Sequence, residues 1–264
     1  RRWKTFARRM ASRSRFRKLT GRACTGGEPP DGGLLRRSLK RDEKMADFME
    51  DHLDMPLRNA LATIQDRIMN QTAYFGVKAL KNPLDHWVYQ EIIYENQPDI
   101  IIEIGNASGG STLSLAHLCD LLDRGRVIAI DISHQHIPER VKNHPRITFI
   151  EGDACQCFAR AAELIAADDR VLIIEDSAHT YQNTLNVLTT YSVLLKPGDY
   201  FIVEDSICHH GLEVGPKPGP YEAIEAFLNQ NGHFIADRSK ESFLITWNPK
   251  GYLKRIESSE RPSE

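Results

Sequence analysis

The chain has 264 residues, 41% of them hydrophobic, which excludes a disordered protein and fits one sizeable α/β domain with extensions. Its net charge of −2 hides an asymmetry: residues 1–44 hold 15 Lys/Arg against 4 Asp/Glu, leaving −13 for the remainder. The sequence has no apolar run of 18 residues to span a membrane, and its five scattered cysteines form no disulfide framework, so the expected setting is a reducing cytoplasm.

The first element is the basic tract 1–44, expected to be disordered. It has the Arg/Ser composition of a transit peptide and the charge of a nucleic-acid or lipid-binding arm, but no motif supports either, so no nucleic-acid partner and no stable membrane insertion is expected. Met45 would make a natural translation start, and the tract reads as an upstream extension without a catalytic role. Residues 45–98 read as N-terminal helices. Leu57, Leu61, Ile64 and Ile68 give an amphipathic stretch over 45–70, and Asn82-Pro83-Leu84-Asp85 starts a second helix that stops near Gln97-Pro98.

From residue 99 to 256 strands and helices alternate. Strands are expected at 100–104, 126–131, 146–150, 171–175 and 199–204, with helices at 110–123, 134–142, 156–167, 179–195 and near 220–230. Closing strands at 233–237 and 242–247 would form a hairpin. This pattern is an α/β fold with a doubly wound, mostly parallel sheet, Rossmann-like in layout. A polar tail, 257–264, follows.

Ligands gather at the carboxyl ends of the strands in such a sheet. After the first strand, Glu103-Ile104-Gly105-Asn106-Ala107-Ser108-Gly109-Gly110-Ser111 forms a glycine-rich turn into a helix. Gly105 allows a sharp turn, and Gly109, Gly110 and Ser111 open a helix whose free N–H groups face the same place. The Gly-x-x-x-Gly-Gly spacing differs from the Gly-x-Gly-x-x-Gly of dinucleotide enzymes, and S-adenosylmethionine fits better than a nicotinamide cofactor. Asp131, about 20 residues further on, can accept both ribose hydroxyls, and Asp153 after the third strand could face the adenine.

Asp176 ends the fourth strand, and Glu204 and Asp205 end the fifth. If these strands are neighbours, three carboxylates converge, and a hard divalent cation such as Mg²⁺ resolves their repulsion. A cation there would lower the pKa of a substrate hydroxyl, and His179 could take the proton. His209 and His210 are either acceptor-pocket residues or a polar loop. The Gly/Pro content of Ser206–Pro220 points to a lid.

Several blocks carry a resemblance: Asn82 to Asp85 with Tyr89-Gln90-Glu91-Ile92-Ile93, Pro98 to Gly105, Gly109-Gly110-Ser111, Ile150 to Asp153, Asp176 to His179, Leu195-Lys196-Pro197-Gly198-Asp199-Tyr200, Val203 to Asp205, and Asn248 to Arg255. Together they resemble the cephalosporin hydroxylase and rhamnosyl O-methyltransferase family over roughly residues 70–256. The resemblance implies a class I methyltransferase fold, S-adenosylmethionine, and a Mg²⁺ site on Asp176, Glu204 and Asp205. It also implies O-methylation of a small-molecule hydroxyl, as in glycolipid sugars or antibiotic intermediates, and a homo-oligomer. The run Asn106-Ala107-Ser108 departs from the family, leaving the methionine-end contacts open. Two other classes stay in play: a noncatalytic S-adenosylmethionine-binding module, and the metal-dependent hydroxylase of the family's name, for which only His52-Leu53-Asp54 has the local spacing of an iron site.

Overall fold

The computed structural model describes residues 48–257, so the basic tract 1–44 and nearly all of the polar tail lie outside the described residues. The chain divides into two units at His52/Leu53. Of the first, the described part is a short 3-10 turn, Met49–His52; the second carries the sheet and its helices.

The amphipathic stretch becomes helix α1, Leu57–Gln71, which buries Leu61 and Ile68. It starts later than the periodicity predicts because Pro56 disfavours helix in the residue before it while fitting the helix entrance itself. A two-residue hairpin, β1 (Ala73–Tyr74) and β2 (Val77–Lys78), follows. Helix α2, Pro83–Asn96, has Asn82 as its N-cap, accepting from the Leu84 N–H, and Pro83 in its first turn. Gln97 ends it in the left-handed region, φ 49°, just before Pro98.

The main sheet has the order β5-β4-β3-β6-β7-β9-β8. Its parallel strands are β3 (Ile100–Ile104), β4 (Arg126–Asp131), β5 (Ile147–Glu151), β6 (Val171–Glu175) and β7 (Tyr200–Val203). The strand-linking helices are α3 (Gly110–Leu121), α4 (Glu139–Lys142), α5 (Phe158–Ala162), α6 (Tyr181–Tyr191) and α7 (Pro220–Gln230). Every residue of β3, β6 and β7 is buried, as β-branched runs covered on both faces should be. On one face Ile101, Ala129 and Ile174 pack with Tyr89, Ile92 and Leu115. On the other, Ile102, Ile128 and Ile173 pack with Leu188, Tyr191 and Ile224.

Two expectations need correction. Helices α4 and α5 are single turns. The hairpin partner of β8 (Phe234–Ala236) is β9 (Tyr252–Arg255), which runs antiparallel between β7 and β8, and the run 242–247 is no strand. Leu244 has φ 65° and lies exposed, and the Trp247 N–H is satisfied by the Asp85 carboxylate rather than by a ladder.

That carboxylate ties α2 to the end of the domain. Buried Asp85 accepts from Asn82 Nδ2 (2.8 Å), Thr246 Oγ1 (2.5 Å), Trp247 N (2.8 Å) and the Tyr252 hydroxyl (2.8 Å). Replacing Asp85 by alanine orphans these donors, and the expected destabilisation is about 3 kcal/mol. Denaturant midpoints of the two proteins measure it; a loss under 1 kcal/mol would show that water satisfies the donors.

Chain order reverses between β3 and β6. Their carboxyl ends are neighbours, with Asp176 N donating to Ile104 O (2.8 Å), and the crevice where α/β sheets bind ligands opens there.

Candidate active site

Gly105 leaves β3 with φ +91°, and a Cβ there would sit 1.9 Å from the Asp176 carbonyl oxygen, so only glycine fits. The loop is stapled to β4: Asp131 Oδ2 accepts from Asn106 N (2.6 Å) and Ala107 N (3.0 Å). Beneath it, fully buried Glu103 accepts from Asn106 Nδ2 (2.9 Å) and Thr112 Oγ1 (2.5 Å), and its Oε1 is left without a partner. The side chains of Glu103 and Asn106 thus brace the loop from inside, and Asn106 Oδ1 also meets His134 Nε2 at 3.3 Å. Gly110 lies against the Lys78 carbonyl, 2.4 Å from where a Cβ would sit. The N-terminus of α3 carries no side-chain cap, which leaves N–H donors free where Gly110 and Ser111 line a cavity.

Two cavities flank the loop. One, about 360 Å³, is lined by Ile130, Asp131, Ile132, Asp153 and Ala154 among others. Asp153 is exposed there, and its Oδ1 accepts from Gln156 N (3.0 Å). The other, about 390 Å³, lies against α1 and is lined by Gln65, Met69, Lys81, Ile207, Val214 and Trp247 among others. Gly105, Ala107, Asp176 and Ser177 belong to both. The cavities therefore meet where β3 and β6 end.

Asp176 is positioned by Glu175, whose buried carboxylate accepts from Ser177 Oγ (2.5 Å) and Thr184 Oγ1 (3.2 Å) and fixes the following turn. Around Asp176 the charges crowd. Lys81 Nζ lies 2.5 Å from both Asp176 Oδ2 and Glu204 Oε1. His179 Nε2 lies 3.3 Å from Asp205 Oδ2 and 3.7 Å from Asp176 Oδ1. Burial pushes the Asp176 carboxyl up to about 6, Lys81 opposing and Asp205 adding to the rise. Burial, with Asp176 beside it, holds Glu204 well above the usual carboxylate range. Burial would lower Lys81, but Asp176 and Glu204 outweigh it and keep the ammonium charged. One lysine does not neutralise this cluster, and a second cation would.

Of the three residues expected to hold Mg²⁺, Asp176 and Asp205 are joined by His179, with candidate ligand atoms all within 4.8 Å; among the described residues no other such group occurs. Glu204 is in the same cluster, with Oε1 turned to Lys81. Ala107, His179 and Asp205 have φ of 45°, 53° and 56°, left-handed values that cost a non-glycine residue roughly 1 kcal/mol each. All three line the α1-side cavity. Oxygen donors, under-neutralised, reachable from a cavity and with an imidazole beside them, suit a hard divalent cation.

His209 and His210 are a polar loop. His209 pairs with Glu213 (3.1 Å), and His210 pairs with Glu222 (2.9 Å) and stacks on Tyr221. The expected lid is anchored in its first half by Ser206 Oγ donating to Pro249 O (2.7 Å) and Ile207 N to Trp247 O (3.0 Å). Sequence reasoning missed Lys81 and the Trp247 Nε1 to Gln65 Oε1 bond (2.5 Å). A lone lysine in a loop has no periodic signal, but three converging acids with no cation among them ask for one.

The family described as rhamnosyl O-methyltransferase/CmcI matches residues 66–256. The chain belongs to this family. It is 32% identical over 195 residues to the rhamnosyl O-methyltransferase of Mycobacterium tuberculosis (strain H37Rv), covering 71% of this chain and 80% of that one. With its counterpart in Mycobacterium leprae (strain TN) the identity is 34% over 196 residues, covering 71% and 85%. Among solved structures, a CmcI apo-structure superposes with a TM-score of 0.55 at 26% identity over 70% of this chain and 76% of that one. A CmcI form with Mg and SAM gives 0.55 at 24% identity over 70% and 77%, a likeness of fold. With the sheet order, these place the rhamnosyl O-methyltransferase/CmcI member on the class I methyltransferase fold. Membership brings the enzyme class, an S-adenosylmethionine-dependent O-methyltransferase.

Proposed function

We propose that this chain moves the methyl group of S-adenosylmethionine to a hydroxyl of a small molecule bearing a sugar, with a divalent cation, Mg²⁺ first, at the carboxylate cluster. One observation carries the reading: two cavities of different lining meet at Gly105 and Asp176, so a cofactor whose adenosine fills one would reach its methionine end into the other, beside the acids and an acceptor there. The names of the mycobacterial relatives favour a rhamnosyl acceptor.

In this reading the Asp131-side cavity takes the adenosine, with Ile130 and Ile132 as apolar walls and Asp131 and Asp153 as polar ones. The open N-terminus of α3 at Gly110 and Ser111 receives the carboxylate of the methionine end. When bound, S-adenosylmethionine supplies the methyl group, and Mg²⁺ supplies a Lewis acid that lowers the pKa of the acceptor hydroxyl. Asp176 and Asp205, with Glu204 behind them, hold the cation. His179, whose Nε2 faces both Asp176 and Asp205, takes the hydroxyl proton. Gln65, Met69 and Trp247 wall the acceptor side. Among the described residues no helix is long and apolar enough to cross a membrane.

The test incubates the full chain with S-adenosylmethionine, Mg²⁺ and a panel of rhamnosides and other glycosides, and reads S-adenosylhomocysteine. Turnover on a glycoside that chelation stops and Mg²⁺ restores is the expected result. Cofactor binding without turnover would leave a binding module, and full activity after chelation would remove the metal from the reading. Asp131→Ala loses both the loop staple and the expected ribose acceptor, and should weaken S-adenosylmethionine binding by about tenfold to a hundredfold. Calorimetric titration checks this, and unchanged affinity would take Asp131 out of the cofactor site.

A further inference from the structure

Lys81 is a strange neighbour for a cation site. Its ammonium is buried between Asp176 Oδ2 and Glu204 Oε1, 2.5 Å from each, with the side chain only 9% exposed. Segment 78–81 is held in place from both sides: the Lys78 carbonyl and Ala79 pack on Gly110, and Ala79 N donates to Thr72 O. Asn82 then caps α2, so Lys81 enters the cluster from a fixed backbone. Two carboxylate oxygens 2.5 Å from Nζ stabilise the charged ammonium over the free amine. That excludes Lys81 as a general base.

We infer that Lys81 is a specificity-determining residue that sets the charge of the cation site: with a cation holding Asp176, Glu204 and Asp205 ionised, Lys81 cancels one of their three negative charges, so that a divalent rather than a trivalent ion is matched. The inference rests on the metal reading above. Glu103 also lies in the field of Lys81, but its carboxylate is bonded by Asn106 and Thr112 and belongs to the loop. A fixed positive charge a few ångströms from a bound cation disfavours that cation in proportion to its charge, so a trivalent ion suffers half as much again as a divalent one. Removing Lys81 therefore strengthens both, and the trivalent ion more. Removing one acid does the reverse.

The experiment measures Mn²⁺ and Tb³⁺ dissociation constants on the full chain, by Mn²⁺ electron paramagnetic resonance and Tb³⁺ luminescence with Mn²⁺ competition. The readout is the ratio of Tb³⁺ to Mn²⁺ affinity, which needs no turnover. Lys81→Met should raise that ratio at least about tenfold over wild type, and Glu204→Gln should lower it. The double variant Lys81→Met/Glu204→Gln restores the net charge and should return the ratio near wild type; it strands one carboxylate, Asp176, which keeps His179, where Lys81→Met strands two, and Glu204→Gln, which leaves Lys81 paired with Asp176, carries the test if Lys81→Met alone does not fold. A ratio that fails to follow net charge across the series, or affinities for both ions that fall together, would overturn the role of Lys81 and leave the metal reading standing. A wild-type chain that takes up no Mn²⁺ at millimolar concentration would overturn both.

Discussion

Asp176→Asn is expected to lower methyl-transfer turnover by about a thousandfold, while affinity for S-adenosylhomocysteine changes by less than about threefold. The two halves come from different atoms of one residue. The backbone of Asp176 builds the cofactor crevice: its N–H closes on Ile104 and its carbonyl abuts Gly105. Asparagine keeps both. The side chain serves the charge cluster with Lys81, His179 and Asp205, and asparagine removes its charge there. Glu204 still partners Lys81, so no ammonium is stranded and the fold should hold. Single-turnover formation of S-adenosylhomocysteine, set beside calorimetric binding of the same compound, separates the two. Retained turnover would show that the cluster is structural.

Gly105→Ala should fail at an earlier stage, losing about 3 kcal/mol of stability and cofactor binding with it. The new Cβ would lie 1.9 Å from the Asp176 oxygen and 2.5 Å from its carbonyl carbon, both backbone atoms that cannot swing aside. The φ of +91° is itself strained for any L side chain. Relief requires β3 and β6 to part at their carboxyl ends, where the two cavities meet. Equilibrium unfolding and a cofactor titration on whatever folds measure the effect, and a variant as stable as the parent would mean the crevice is far more plastic than its packing implies.

The central strands β3, β4 and β6 lie at the residues expected for them, because runs such as Ile100-Ile101-Ile102 and Val171-Leu172-Ile173-Ile174 have one natural environment, a sheet covered on both faces. Helix α7 was equally legible from Pro220 to Gln230. The last strand was not. Phe243 to Trp247 has the composition of a strand, but its Trp247 N–H is claimed by the Asp85 side chain, and a competition between a ladder and a carboxylate 162 residues away leaves no trace in local composition. At the site, the acids were readable because strand ends are readable. That Asn106 would turn inward to Glu103, and that Lys81 would reach into the cluster, depends on loop paths no periodicity describes.

The Asp85 tie has a temporal side. Thr246 and Trp247 meet Asp85 across 161 and 162 residues, and Trp247 also walls the α1-side cavity. A chain emerging from its N-terminal end can pair β3 with β4 and shape the Asp131-side cavity long before Trp247 exists. The Asp131 side is thus early and the α1 side late, so an incomplete chain would build the first cavity while still lacking a wall of the second.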